Sequence, residues 1–261
     1  LLVEQVRPLG LDNPVHAALR AWARMARRSL DTGQARQGAI AWAAAVLGPA
    51  AAVALVHWLL WQFSVLLAFV WMALVLYYTL GFRQFSHHFT EIRDALEAGD
   101  EAAARQALAR WQRVDASQVA RDELLRHAIE YSVLAAHRHV FGVLVWFLVL
   151  ALLGLGPAGA VLYRLAEYLS RNWQVRSDGT PSVHLQRAAS AAWHWVDYVP
   201  VRVTALAFAV VGNFEDAVAS WRQDATLFSN PNDGVVLAAT AGAVNVRLGG
   251  RALGKPLTLP A

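Results

Sequence analysis

QGAIAWAAAVLGPAAAVALVHWLLWQFSVLLAFVWMALVLYYTLGF, Gln37 to Phe82, runs for 46 residues without an Asp, Glu, Lys or Arg. As one continuous α-helix it would be about 69 Å long, against a bilayer core of about 30 Å. One membrane span is therefore too few. Two spans of about 20 residues each fit, joined by a tight turn near Gln62-Phe63-Ser64. Trp42, Trp58, Trp61, Trp71, Tyr77 and Tyr78 fall largely near the ends of those spans, where interfacial aromatic side chains belong. Pro49 predicts a kink in the first span, which membrane helices tolerate.

The rest of the composition agrees. Hydrophobic residues make up 57% of the 261 and charged ones 16%, below the roughly 25% of a soluble domain. The absence of Cys excludes disulfides and thiolate metal sites. Lys255 is the sole Lys among the basic residues, and the net charge of +4 fits cytoplasmic loops rather than nucleic acid. Leu1-Leu2-Val3-Glu4 reads as the tail of an earlier apolar segment, and no signal-peptide pattern is visible. A first membrane helix upstream is the expectation.

Five regions follow. Residues 1–36 form an N-terminal amphipathic, interfacial segment. Its helix over 10–36 is capped by Asp12 or Asn13, with Pro14 in the first turn, and Arg20, Arg24, Arg27 and Arg28 face lipid headgroups. Residues 37–82 hold the two transmembrane helices. Residues 83–138 form a cytoplasmic helical lobe. Gly99-Asp100 breaks it, Asp100 caps a helix to about Arg113, and Asp115 or Ser117 caps another towards Arg138. Ala104, Leu108 and Trp111 would pack there against Leu124, Leu125 and Ile129.

Residues 139–192 contain a broken apolar hairpin and a loop. The second charge-free run, Val140 to Tyr163, is interrupted by Gly154-Leu155-Gly156-Pro157-Ala158-Gly159. It is either a simple span or a re-entrant hairpin turning at Gly156-Pro157. The positive-inside rule favours the hairpin, because it returns Arg164, Arg171, Arg176 and Arg187 to the cytoplasm. Residues 174–186 read as a loop. Residues 193–261 are an apolar segment carrying Asp197, Pro200 and Arg202, followed by a C-terminal amphipathic region.

Asp197 and Arg202 sit in apolar sequence, where an unpaired charge costs several kcal/mol. They mark either a polar site facing a cavity or an ion pair that pins a helix broken at Pro200. Pro200 also frees a backbone carbonyl that needs a donor. His87, His88, His127, His137 and His139 gather near the expected membrane boundary, but their spacing suits no metal. On a helix His137 and His139 point about 200° apart. With Arg83, Arg138 and Arg164 the same group suits phosphate. Glu130 and Glu167, beside apolar helices, are expected to pair with Arg138 or Arg164.

Four stretches in order carry a resemblance: Gly99-Asp100-Glu101-Ala102-Ala103-Ala104-Arg105; Gly156-Pro157-Ala158-Gly159-Ala160-Val161-Leu162-Tyr163; Asp197-Tyr198-Val199-Pro200-Val201-Arg202; and Pro231-Asn232-Asp233-Gly234 running on to Val246-Arg247-Leu248-Gly249-Gly250. With Asn13-Pro14-Val15, the chain resembles the CobD/CbiB membrane proteins of cobalamin biosynthesis, as a divergent branch, and the related AmpE proteins. The resemblance implies a multi-pass bacterial inner-membrane enzyme that joins adenosylcobyric acid to aminopropanol or its phosphate. That is an amide ligation driven by ATP with magnesium, on a corrinoid substrate.

Three family elements are altered. Ala-Glu-Asn…Asp-Gly is replaced by Ala135-Ala136-His137-Arg138-His139-Val140-Phe141-Gly142. Asn-Thr-Leu-Asp-Ser-Met is replaced by Leu165-Ala166-Glu167-Tyr168-Leu169-Ser170-Arg171-Asn172, and Arg-Asp-Thr by Val114-Asp115-Ala116-Ser117. If the ligase activity is retained, Glu130, Asp197 and Arg202 are its candidate catalytic residues, Glu130 and Asp197 orienting metal or amine. His137, Arg138, His139 and Arg164 would bind the phosphates of ATP, and no resident metal site is assigned. The alternative is a non-enzymatic membrane regulator of the AmpE type. The expected architecture is an all-α, polytopic integral membrane protein with a cytoplasmic helical lobe and a re-entrant helical hairpin. Its partners would be the lipid bilayer, a corrinoid and further copies of itself, not nucleic acid.

Overall fold

The long charge-free run forms two helices, α1 (Ala35–Phe63) and α2 (Val65–Thr79), separated by the single extended residue Ser64. The structure is a computed structural model. It describes residues 21–26, 35–80, 82–112, 116–117, 119–173 and 183–249, the side chains of 35–36 and 82–87 excepted. The cap at Asp12 or Asn13, Asp115, and the loop over 174–182 lie outside the described residues. Among those described, every regular element is helical, so the fold class is all-α.

The break at Ser64 falls inside the expected turn, but the two helices are unequal, with 29 and 15 residues. At 1.5 Å per residue they measure about 44 and about 22 Å. Pro49 lies inside α1. A proline cannot donate to the carbonyl four residues earlier, here Ala45, and the indole N–H of Trp22 supplies the donor at 3.1 Å.

The described residues divide into two units, those within 1–81 and 138–200 and those within 82–137 and 201–249. In the first unit, α1 and α2 pack together and against a helical hairpin. Its arms, α6 (Gly142–Leu152) and α7 (Ala158–Asn172), follow in the chain on α3 (Phe82–Glu97), α4 (Glu101–Gln112) and α5 (Arg121–Ala136) of the second unit. Leu155 N–H bonds to Leu150 O at 2.9 Å, and Gly156 takes φ +58°, a conformation that suits glycine. A methyl there would also collide with the His57 ring of α1. The chain therefore turns at Gly156-Pro157 as expected.

The hairpin arm α7 is buried on most sides, with Ala158, Ala160, Val161, Tyr163, Leu165, Ala166, Glu167 and Leu169 all inside. Helix α8 (Val183–Val211) completes the first unit with its N-terminal part. Two expectations are corrected here. Residues 183–186, read as loop, are helical, and Pro200 does not break the helix. The carbonyl that Pro200 leaves without a donor is that of Val196, and the indole N–H of Trp146 donates to it at 2.8 Å. With that group satisfied, the helix continues through the proline.

In the second unit α3, α4 and α5 bury Ile92, Leu96, Ala104, Leu108, Leu124 and Ala128, with Trp111 against them. Asp100 Oδ1 accepts from Ala103 N at 2.9 Å and starts α4, as read from the sequence. The start of α5 differs. It begins at Arg121 with Ala120 as its N-cap, so Ser117 does not cap it. Ala116 is drawn into the core instead, and Arg105 Nε binds the Val119 carbonyl at 2.9 Å. Leu125, expected inside, is 48% exposed. The buried stripe is Leu124 and Ala128, at i and i+4 on one face, which turns Leu125 away. The C-terminal part of α8, α9 (Phe214–Asp224) and α10 (Pro231–Val244) add a second core of Val201, Ala205, Val235, Val236 and Ala239. Asn230 caps α10 and Pro231 occupies its first turn.

Two described helices, Gln37–Phe63 and Arg121–Leu152, are long and apolar enough to cross a membrane. Only 22% and 17% of their most apolar windows are buried.

Candidate functional site

Helix α7 carries Tyr163, Arg164, Glu167 and Arg171 in a sequence otherwise suited to burial. Residues three and four apart share a face, so Glu167 lies within reach of both arginines. Arg164 Nη1 is 3.3 Å from Glu167 Oε2, and Arg171 Nε is 2.7 Å from Oε1. Burial works to raise the Glu167 carboxyl, and the two guanidiniums outweigh it, holding the group below the usual carboxylate range. The pairing with Arg164 was expected; Arg171 completes it.

The segment His137–Phe141 is one turn of π-helix between α5 and α6, a distortion often found at functional sites. From it, Arg138 and His139 come within electrostatic reach of Glu167, and His139 within that of Arg164 and Arg171. Deeper in the same unit the Tyr163 hydroxyl donates to Asp197 Oδ1 at 2.8 Å. Both residues are fully buried, and Arg138 also lies within electrostatic reach of that hydroxyl. The cluster thus holds three guanidiniums and an imidazole against two carboxylates. It has one guanidinium more than it has carboxylates, and the Arg171 side chain, 52% exposed, opens the cluster to the surface. Such a site is complementary to an anion.

Four of the seven candidates, Arg138, His139, Arg164 and Asp197, are therefore gathered in one unit. Glu130, His137 and Arg202 belong to the other. Glu130 is a correction: its partners are neither Arg138 nor Arg164. It accepts the Gly249 N–H at 2.7 Å and lies 3.6 Å from Arg126 and 3.4 Å from His127. Both partners precede it by one turn on α5, the geometry that favours such pairs. His137 is buried with Nδ1 2.8 Å from Thr204 Oγ1. Arg202 follows the buried Val201 on α8.

Tyr163 and Arg171 were not singled out in the sequence. Tyr163 closes a charge-free run and reads there as an ordinary interfacial aromatic. The available signal was the spacing Tyr163, Glu167, Arg171, which puts three polar groups on one face of a helix that is otherwise buried. The second unit also holds a cavity of about 650 Å³ bounded by α9, the end of α10 and residues 246–249. None of the seven candidates lines it, although Glu130 braces Gly249, one of its walls.

Among the described residues no three His, Asp or Glu groups converge closely enough to hold a metal ion. Glu167 is taken up by two guanidiniums and Asp197 by a phenol, so the donor set does not fit a resident magnesium. The guanidiniums do fit phosphate.

An all-helical protein with exposed apolar helices and a partly buried basic cluster is the class that these features define. The CobD/Cbib protein family matches residues 6–255, and the chain belongs to the CobD/CbiB family. It is 34% identical over 226 residues to the cobalamin biosynthesis protein CobD of Stutzerimonas stutzeri, covering 85% of this chain and 69% of that protein. It is 35% identical over 210 residues to the cobalamin biosynthesis protein CobD of Chromobacterium violaceum, covering 80% and 65%. The protein of the same name from Mycobacterium tuberculosis is 34% identical over 172 residues, covering 61% and 50%. The chain thus spans between half and about two thirds of the length of these relatives. No solved structure matches it.

Proposed function

We propose that this chain is a multi-pass protein of the bacterial inner membrane that acts in cobalamin biosynthesis, as an ATP-dependent ligase forming an amide between a corrinoid carboxylate and aminopropanol or its phosphate. Membership of the CobD/CbiB family supports the pathway. The membrane reading is supported by exposure: Phe63, Leu66, Phe69 and Leu152 are each more than 60% exposed. Core helices of a soluble protein would bury such side chains, and a patch of this size needs a lipid or protein partner. In this reading lipid covers the surface, the hairpin at Gly156-Pro157 is re-entrant, and a homo-oligomer would cover part of the same face.

The basic cluster is the observation that carries the ligase reading. In the reaction, a carboxylate oxygen accepts a phosphoryl group from ATP. The amine nitrogen then bonds to the carboxyl carbon, phosphate leaves with the oxygen, and the amine gives up a proton. Arg138, Arg164 and Arg171 would neutralise the phosphate oxygens, with the His139 imidazole beside them. Asp197 serves from behind, since its burial keeps it from touching substrate.

The test uses the full chain purified in lipid nanodiscs, given adenosylcobyric acid, ATP and aminopropanol. Mass spectrometry should show the amide product, with ADP and phosphate formed in equal amount. A folded preparation that yields no product would favour the AmpE-type regulator, a reading that rests on the altered motifs alone.

A further inference from the structure

Two opposite charges line the cavity of the second unit without meeting. The cavity measures about 650 Å³, within the range of small-molecule pockets. Asp224 of α9 and Arg247, in the segment after α10, both belong to its walls. Among the described residues neither side chain takes part in a hydrogen bond or an ion pair. Asp224 is half-buried in the last turn of α9, where a negative charge opposes the helix dipole. Its carboxylate does not cap the short turn that follows. The acid therefore costs the helix rather than stabilising it.

Arg247 is exposed, yet its backbone is held on both sides. Asn245 ends α10 at φ +53°, and the Val246 N–H bonds to Ala241 O at 3.0 Å. Two residues beyond Arg247, Glu130 Oε1 accepts the Gly249 N–H at 2.7 Å, and Arg126 donates to the Gly249 carbonyl. Ser220 and Gln223 add neutral hydrogen-bonding groups to the walls, and Phe228 adds apolar surface.

We propose that this cavity binds a small molecule with an ammonium group and an anionic group, Asp224 receiving the first and Arg247 the second. Opposite charges kept apart by a pinned backbone cannot neutralise each other. A ligand carrying both signs pairs each of them, whereas a ligand of one sign leaves a charge unmet. The stretch from Pro231 to Gly249 that helps to carry the family resemblance has no part in the basic cluster, and its end forms a wall here. The site rests on the cavity; only the choice of probe rests on the ligase reading, which calls for an amine.

The test is calorimetry on the full chain in nanodiscs with two probes, aminopropanol phosphate and aminopropanol. The phosphate ester should bind, and Asp224→Asn and Arg247→Gln should each weaken it by about 10-fold, as loss of one charge-assisted contact does. Aminopropanol itself should lose about as much in Asp224→Asn and nothing in Arg247→Gln, since it has no anionic end.

Wild-type affinity for the ester in either folded variant would overturn the proposal, and so would a wild-type chain that binds neither probe. Equal losses for both probes in Arg247→Gln would also overturn it, by showing that the arginine supports the walls and does not meet the anion. Amide formation by variants that keep wild-type affinity would remove this site and leave the ligase reading. The crossed pattern without amide formation would do the reverse.

Discussion

The indole N–H of Trp146 donates to the Val196 carbonyl, at 2.8 Å, the one acceptor that Pro200 deprives of its helical donor. Trp22 does the same for Ala45 below Pro49, at 3.1 Å. Two prolines in two different helices are thus accommodated by the same means, and each helix runs on. In an apolar surrounding an unmet carbonyl costs about 1–3 kcal/mol. Trp146→Phe keeps most of the packing and removes the donor, so it should destabilise the protein by about that amount. The double variant Trp146→Phe with Pro200→Ala should recover most of the loss, because alanine restores the backbone donor. Thermal unfolding in nanodiscs reads both, and no recovery in the double variant would contradict the pairing.

Glu167 makes stability depend on pH. Its carboxyl is held below the ordinary value of 4.5 in the folded protein, against the burial that works to raise it, by Arg164 and Arg171. A group depressed on folding stabilises the protein above its unfolded pKa, and that contribution is lost as pH falls through the folded pKa. The melting temperature should therefore decline below pH 4.5, and Glu167→Gln should flatten that decline. At neutral pH the same substitution should cost towards the low end of about 3–5 kcal/mol, since Arg171 can turn to water. An equally steep acid limb in the variant would show that other groups cause it.

Gly142→Ala tests the packing behind Tyr163. The added methyl has no room, and overpacking of this kind costs about 1–3 kcal/mol. A folded variant should show a correspondingly lower melting temperature in nanodiscs. A wild-type melting temperature in Gly142→Ala would mean that the ring has another place to go and that the packing argument fails.

Glu130 holds the backbone of Gly249, which Arg126 also binds through its carbonyl. Glu130→Ala should speed hydrogen exchange at the Gly249 amide by at least about 10-fold. Glu130→Gln, which keeps an acceptor oxygen, should stay near the wild-type rate. Equal protection in all three proteins would mean that the amide is shielded by something else.

The hairpin at Gly156-Pro157 is proposed to return to the cytoplasmic side. The chain has no Cys, so Asp178→Cys gives a single reporter without further changes. An impermeant thiol reagent applied to intact cells should leave it unmodified and should label it in inside-out vesicles. Labelling from outside the cell would replace the hairpin by a simple span.

Periodicity and breakers made much of this fold legible. The charge-free run announced two helices and a turn, and Asp100 after Gly99 announced the start of α4. The start of α5 was hidden, because Ala116 is pulled into a core that only the tertiary fold defines. The continuity of α8 was hidden for a similar reason. Proline alone predicts a break, and nothing local says that Trp146, 50 residues away in sequence, supplies the missing donor. Of the site, the charged candidates Arg138, His139, Arg164 and Asp197 stood out because charge in apolar sequence is costly. Tyr163 did not, since an aromatic at the end of an apolar stretch is ordinary. Glu130 looked catalytic for the same reason as Asp197, although its partners lie one turn back and at Gly249.

Complementation tests the ligase reading most directly. The chain is expressed in a bacterial strain lacking its cobinamide-phosphate synthase, with adenosylcobyric acid as the only corrinoid. Growth with the wild-type chain, lost with Arg138→Gln, is the expected result. No growth, with the protein shown folded in the membrane, would contradict it and leave a membrane protein of the family without the family's ligase activity.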